Sequence, residues 1–197
     1  MYTIYETPAI VLSARESGEA NRIVTCFTRA LGVLSVHAQG VRYAKSKLRP
    51  SLDTLALSSI ALVRGREWWR LVDARTVLRL DTIFLNADKR HAYERLARLL
   101  ARLSAGEELE GDAELFDIFS EGIRFFAGYS AEKQDCVRFE LMLALRILHH
   151  RGYMPRTDEL APFAAESEWN ADMIAAFEPH RALAHRVIVD AIQGADM

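Results

Sequence analysis

The sequence of 197 residues has few of the features that mark enzymes or disulfide-rich proteins. It contains only two cysteines, Cys26 and Cys136, and no CxxC pair. Each cysteine lies in an apolar run, so both are predicted to be ordinary buried thiols in a reducing compartment. A glycine-rich phosphate loop, a GxSxG sequence and an HExxH sequence are also missing. These absences argue against catalysis.

Long hydrophobic runs are missing as well. No apolar segment is long enough to cross a bilayer. The N-terminal sequence MYTIYETPAIVL has no basic region ahead of its apolar run, so no signal peptide is predicted. Half of the residues are nonetheless hydrophobic, which is enough to build a core. We therefore expect a folded cytoplasmic protein with one domain of ordinary size or two small ones.

Acidic residues are missing from one long stretch of the chain. Between Ala20 and Leu52 there are six basic residues and no aspartate or glutamate. Residues 1–80 hold 12 lysines and arginines against 6 acidic residues, a net charge of +6, whereas residues 81–197 carry a net charge of −8. This asymmetry indicates separate roles for the two halves, with the basic half suited to a polyanion.

The basic half contains five predicted strands. Short apolar or alternating runs, bounded by glycine, proline and polar turn residues, cover residues 8–15, 22–27, 32–40, 54–63 and 67–78. In the fourth run, Ser58 and Ser59 interrupt the alternation and predict a bulge. Five short strands with short connections and a basic face predict a small closed barrel of the OB-fold type.

Beyond Asp81 the hydrophobic spacing becomes that of helices. Asp112 is predicted to cap the second helix at its N-terminus. The third helix, over residues 133–151, is apolar almost all round, so we expect it at the centre of the helical half. Gly152 and Pro155 are predicted to end it.

These patterns together predict an α+β protein. Residues 1–80 form an N-terminal five-stranded OB-fold barrel that binds nucleic acid. Residues 81–197 form an all-α helical domain that binds partners and acts as a scaffold. Within that domain, residues 158–197 are predicted to form two or three shorter helices.

Basic and aromatic side chains of the barrel are the candidates for nucleic-acid binding. Lysine and arginine on a loop neutralise phosphates without reading sequence, and exposed aromatic rings let bases stack. The candidate rings are those of Trp68 and Trp69, flanked by Arg66 and Arg70, and of Tyr43 in the basic loop. Trp68 and Trp69 would face opposite ways in a strand, so one is expected in the core and the other outside. His37, on the wetter face of the third strand, is either an ordinary surface histidine or a nucleic-acid contact.

Two stretches of the sequence resemble RecO, the bacterial recombination mediator family of the RecF pathway. The first is AIVLSARESGEANRIVTCFTRALGVLSVHAQGVRYAKSKLRPSL, in which a strand, a GE-x-x-RIVT hairpin, a T-x-x-x-G turn and a basic KSKLR segment follow one another. The second, VRFELMLALRILHHRGYMP, resembles the central RFEL helix of the family, which ends in GY-x-P. The two stretches occur in the family's order and cover roughly a third of the chain.

The resemblance implies a DNA-binding protein without catalytic activity in the bacterial cytoplasm, associated with the nucleoid. It implies binding to single- and double-stranded DNA and annealing of complementary strands. It also implies work with RecR to load the recombinase RecA onto DNA coated by single-strand DNA-binding protein. By position, the hairpin arginine is Arg22 and the basic segment is Lys45, Lys47 and Arg49. Charge alone adds Arg29 and Arg42, so the predicted DNA-binding residues are Arg22, Arg29, Arg42, Lys45, Lys47, Arg49, Trp68 and Trp69.

The sequence also departs from the family's pattern. Many members carry a four-cysteine zinc site just after the GY-x-P element, whereas no cysteine follows Cys136 here. Neither zinc nor another cofactor is therefore expected, and the chain is shorter at its C-terminal end than typical members. Two alternatives stay open: an RNA-binding OB-fold protein, or an adaptor that acts mainly through its acidic helical half.

Overall fold

The computed structural model describes residues 3–104, 111–154, 158–166 and 168–194. Its first part is a closed five-stranded barrel with the strand order β1-β2-β3-β5-β4. The strands are β1 (Ile4–Ser17), β2 (Asn21–Thr28), β3 (Gly32–Ala38), β4 (Ala56–Arg64) and β5 (Trp69–Arg79). Helices follow the barrel, so the predicted α+β class with an N-terminal OB-fold is confirmed.

The barrel core is built from alternating side chains, as the sequence predicts. In β3, Leu34, Val36 and Ala38 are buried while the residues between them are more exposed. Cys26 of β2 is buried beside them, and this burial raises the pKa of its thiol to about 12. The barrel closes through a short parallel pairing between β3 and β5, in which His37 lies opposite Arg70.

The bulge predicted at Ser58 and Ser59 of β4 lies instead in the partner strand β5, because Leu57 pairs with Leu78 and Ser58 with Thr76, which leaves Val77 as the extra residue. The register between β4 and β5 shifts between Leu57 and Ser58. Ser58 faces inward by regular alternation with Ala56 and Ile60 of the barrel core, and its buried hydroxyl donates to the carbonyl oxygen of Ser51 at 2.8 Å. The hydrogen bond satisfies a polar group that would otherwise destabilise the core.

Six α-helices occur in the described residues: α1 (Ala87–Leu103), α2 (Ala113–Gly128), α3 (Lys133–His150), α4 (Ala161–Ala165), α5 (Ala171–Ala176) and α6 (Arg181–Gly194). Asp112 caps α2, accepting a hydrogen bond from the backbone N–H of Leu115 at 2.9 Å. Gly152 ends α3 with a φ of 74°, a conformation that suits glycine. Both predicted caps are confirmed, while Pro155 lies outside the described residues.

Helix α3 is the centre of the helical part, as predicted, and packs against α1, α4, α5 and α6. The ring of Phe139 stacks on Phe126 at 4.0 Å between centroids. Arg146, which interrupts the apolar surface, is buried with its guanidinium carbon 3.8 Å from the centroid of Trp169. Burial lowers the pKa of Arg146 to about 10. Its donors reach the carbonyl oxygens of Phe163 and Glu168, so this arginine ties α3 to the segment after it.

The chain divides into two compact units. The first contains residues 3–81 together with residues 104 and 111–116, and the second contains residues 82–103 and the described residues from 117 onward. The start of α2 thus belongs with the barrel, where Phe116 lies 5.4 Å from Phe27 between ring centroids. Across the described ranges, no helix has the length and hydropathy needed to span a membrane.

Candidate nucleic-acid interface

A basic loop, residues 40–49, leaves the end of β3 and is held against the barrel. Gly40 begins it with a φ of 66° and donates its N–H to Asn21 Oδ1 at 2.9 Å. Val41 is fully buried, and Leu48 packs on the barrel core. Because apolar anchors hold the loop near both ends, the side chains between them have a defined platform.

Three predicted binding residues lie exposed on this platform: Lys45, Lys47 and Arg49. The ion pairs described in this region use other side chains. Within the described part of the chain, no carboxylate therefore neutralises these three cations. Their positions suit contacts to a phosphate backbone.

Two other predicted residues, Arg22 and Arg42, are engaged within the barrel unit. Arg22 Nη1 lies 3.0 Å from Asp53 Oδ1, and its side chain is only 17% exposed. Arg42 Nη2 lies 3.0 Å from Glu16 Oε2, and Nη1 donates to the carbonyl oxygen of Gly18 at 2.9 Å. Arg22 links the start of β2 to Asp53, and Arg42 links the basic loop to the end of β1. The carboxylates partly neutralise the charges of both arginines.

Arg29 is not brought together with the basic loop. It follows β2 in the β2–β3 turn, and its backbone N–H donates to the carbonyl oxygen of Pro8 at 3.0 Å. The basic loop leaves the opposite end of β3. Seven strand residues at about 3.3 Å each separate the two ends by roughly 20 Å.

The two tryptophans have different surroundings. Trp69 is the first residue of β5 and is 8% exposed, whereas Trp68 lies in the β4–β5 turn and is 53% exposed. Trp69 packs edge-to-face against Tyr5 at 5.3 Å. Trp69 was a candidate for base stacking, but its burial leaves Trp68 as the tryptophan of the barrel that faces solvent.

Trp68 belongs to an open groove of about 830 Å³ on the barrel surface. We call it the arginine–tryptophan groove and define it by His37, Gln39, Arg64, Arg66, Trp68 and Arg70. The imidazole of His37 lies 4.9 Å from the Trp68 ring, with an angle of 41° between the planes. The parallel β3–β5 pairing produces this neighbourhood, because it sets the end of β3 beside the start of β5.

The groove has an excess of positive charge. Arg64, Arg66 and Arg70 are exposed, and Glu67 is the one carboxylate among its lining residues. None of the three arginines forms an ion pair with another residue that the structure describes. The arrangement offers guanidinium groups, an indole face and an imidazole to a ligand at one place.

The groove residues Gln39, Arg64, Arg66 and Arg70 were not among the predicted DNA-binding residues, and for His37 the sequence left a nucleic-acid contact as one of two interpretations. A local signal exists in RGREWWR, where three arginines surround an aromatic pair within residues 64–70. His37 and Gln39 carry no comparable signal, because they reach the groove only through a pairing between strands distant in sequence.

Other chemistry is limited in the described residues. Among the described residues there is no group of three or more histidine, cysteine, aspartate or glutamate side chains that could hold a metal ion. Both cysteines are buried, as predicted. Burial is the main cause that raises the pKa of the Cys136 thiol to about 11, which makes it a poor nucleophile.

Comparison with known proteins links the barrel to a family. Residues 1–78 match the family described as "Recombination protein O N terminal". The chain is 29% identical over 152 residues to a DNA repair protein RecO from Heliobacterium modesticaldum, covering 77% of this chain and 53% of that protein. It is 31% identical over 156 residues to a RecO from Pelotomaculum thermopropionicum, covering 77% and 57%.

A third relative, the DNA repair protein RecO of a Synechococcus strain, is 35% identical over 105 residues, which are 53% of this chain and 35% of the relative. The chain thus spans about half the length of the first curated relatives it matches. The residues that match the family model, 1–78, include nearly all of the barrel strands, the basic loop and the arginine–tryptophan groove.

Proposed function

We propose that the protein, whose residues 1–78 match the family described as "Recombination protein O N terminal", binds DNA and acts in DNA repair and recombination. The observation that carries the proposal is the exposed cation cluster of Lys45, Lys47 and Arg49 on a loop fixed to an OB-fold barrel. Phosphate contacts of this kind bind DNA of any sequence, which suits a repair protein that meets arbitrary lesions.

The protein acts by binding, without a chemical step of its own. Annealing needs two strands held close while their charges are screened, and a fixed basic surface supplies that screening. We extend the proposal to annealing of complementary strands and, with RecR, to loading of RecA onto DNA coated by single-strand DNA-binding protein. The helical domain, residues 81–197, contacts these partners and acts as a scaffold. The place of action is the bacterial cytoplasm at the nucleoid.

The experiment is fluorescence anisotropy of a labelled single-stranded oligonucleotide, titrated with the whole chain at several salt concentrations. We expect the logarithm of the association constant to fall linearly with the logarithm of salt. The double variant Lys45→Glu, Lys47→Glu removes two phosphate contacts. Its slope should be less steep by about 1.4, since each contact on a single strand contributes about 0.7.

The matched control is Arg124→Glu, Lys133→Glu, which makes the same change in net charge at two exposed positions of α2 and α3. The control should retain most of the affinity. Equal losses in the two double variants would mean that net charge, and not the basic loop, governs binding. Equal competition by a matched RNA oligonucleotide would favour an RNA-binding role, and no binding at low salt would favour an adaptor.

A further inference from the structure

We propose that the arginine–tryptophan groove receives unpaired bases, so that the protein distinguishes single-stranded from double-stranded DNA at this groove and not at the basic loop. The inference rests on the proposed DNA binding and deepens it by assigning a substrate class to a second surface. The structural basis is the concave neighbourhood of His37, Trp68 and three arginines on the barrel.

The groove has the size and the aromatic surface that a base requires. Its volume of about 830 Å³ lies within the range of pockets that take molecules as large as a nucleotide. Trp68 is 53% exposed, so much of its indole is available for stacking. His37 contacts the same indole at 4.9 Å between ring centroids, which supports the ring in one orientation. A supported, exposed indole is a stacking platform for any base.

Polar groups surround this platform in a way that suits a nucleotide. Arg64, Arg66 and Arg70 are exposed at the groove and can bind the phosphates on either side of a stacked base. The Nε2 atom of His37 is buried and has no hydrogen-bond partner among the described residues. The exposed amide of Gln39, which also lines the groove, offers hydrogen bonds to a base edge.

The groove and the basic loop respond differently to base pairing. Lysines on a loop meet phosphates whether the DNA has one strand or two. In a duplex, however, each base is already stacked and paired, and unstacking it costs a few kcal/mol. Only a single strand can present a base face to Trp68 without that cost. Since Gln39 of the groove directly precedes Gly40 of the basic loop, one strand can occupy both surfaces.

The test compares three labelled probes of equal length: oligo(dT), an oligonucleotide with abasic sites in place of bases, and a duplex. The whole chain is titrated with each probe, as wild type and as Trp68→Ala. We expect Trp68→Ala to weaken oligo(dT) binding by about 5- to 150-fold, the range for loss of one stacked base. Binding of the abasic probe and the duplex should change less than twofold, because these rest on phosphate contacts.

Two further variants check the assignment. Trp68→Phe keeps an aromatic ring and should retain most of the preference for oligo(dT). Tyr43→Ala removes another exposed aromatic side chain, which lies in the basic loop and does not line the groove. It should leave the preference intact. If Tyr43→Ala abolishes the preference and Trp68→Ala does not, the groove is not the base site. Thermal unfolding of each variant checks that the fold is retained.

The outcomes separate this inference from the proposed function. If the wild-type chain binds none of the three probes at low salt, the proposed DNA binding itself fails. If it binds all three and loses affinity on charge reversal at Lys45 and Lys47, but shows no preference for oligo(dT) over the abasic probe, only the groove assignment fails. An independent readout is quenching of tryptophan fluorescence by oligo(dT), which should disappear in Trp68→Ala.

Discussion

At the scale of single residues, partners and exposure decide which side chains can bind a ligand. Lys45 and Lys47 are exposed on the basic loop, whereas Arg22 is paired with Asp53 and only 17% exposed. An arginine already held by a carboxylate must exchange that partner before it can contact a phosphate. We therefore expect Arg22 to support the interface and the exposed loop cations to contact DNA.

The two cysteines provide a prediction that tests their burial. Burial disfavours the thiolate, so it raises the pKa of Cys26 to about 12 and that of Cys136 to about 11 from 9.0. At pH 8 the native protein should react with an aromatic disulfide reagent far more slowly than glutathione does. In about 8 M urea, a concentration expected to unfold the chain, both thiols should react. Rapid modification of the native chain would contradict the described burial.

The same shifts set the direction of a pH effect on stability. Well below pH 9 both thiols are protonated in the folded and the unfolded chain, so they add no pH dependence there. Above pH 9 the unfolded chain loses these protons first, because its thiols keep the ordinary pKa of 9.0. Ionisation then favours the unfolded state. The contribution of both cysteines to stability therefore falls as the pH rises from 9 towards 11 and 12.

At the scale of elements, the β4–β5 turn determines where the groove residues lie. Gly65 donates its N–H to the carbonyl oxygen of Trp68 at 2.9 Å, closing a turn between Arg64 and Trp69. A Cβ atom at position 65 would lie 2.6 Å from that same oxygen. Because the clash is with backbone, rotation of a side chain cannot relieve it.

We predict that Gly65→Ala distorts this turn and weakens both folding and binding. The free energy of unfolding should fall by about 1–3 kcal/mol, as for other overpacked sites. The preference for oligo(dT) over the abasic probe should fall with it, since Trp68 is displaced. Urea denaturation and the same anisotropy titrations measure the two effects. Gly128→Ala is the control, because a Cβ atom there meets nothing within 4 Å, and it should leave both quantities nearly unchanged.

At the scale of the whole molecule, the barrel unit extends beyond the five strands. Phe116 of α2 belongs to the same compact unit as the barrel, and it is buried against Phe27 of β2. A segment more than eighty residues after β2 in sequence thus completes the apolar surface of the barrel. A barrel fragment that ends at residue 80 would lack this contact and leave Phe27 more exposed.

We predict that Phe116→Ala destabilises the barrel in the full chain by about 3–5 kcal/mol, the usual loss for a buried phenylalanine. Urea denaturation should be followed in a Trp169→Phe background, so that Trp68 and Trp69 of the barrel report the transition. Phe84→Ala is the control, because Phe84 is 41% exposed and its loss should have little effect. A midpoint unchanged in Phe116→Ala would show that the barrel does not need this contact.

The sequence by itself determined the strands, the helices and the charge asymmetry of this protein. Alternation in β3 and the caps at Asp112 and Gly152 follow from local patterns, because backbone geometry and side-chain burial repeat over a few residues. The basic loop was also visible in the sequence, since four cations lie within residues 42–49 and no acidic residue interrupts them.

The tertiary structure alone decided which of these residues can act together. The parallel pairing of β3 with β5 places His37 beside Trp68, about thirty residues away in sequence. Closure of the barrel buries Trp69 and leaves Trp68 exposed, and the fold pairs Arg22 with Asp53. These outcomes depend on contacts between distant segments, whose register and closure no local pattern of residues specifies.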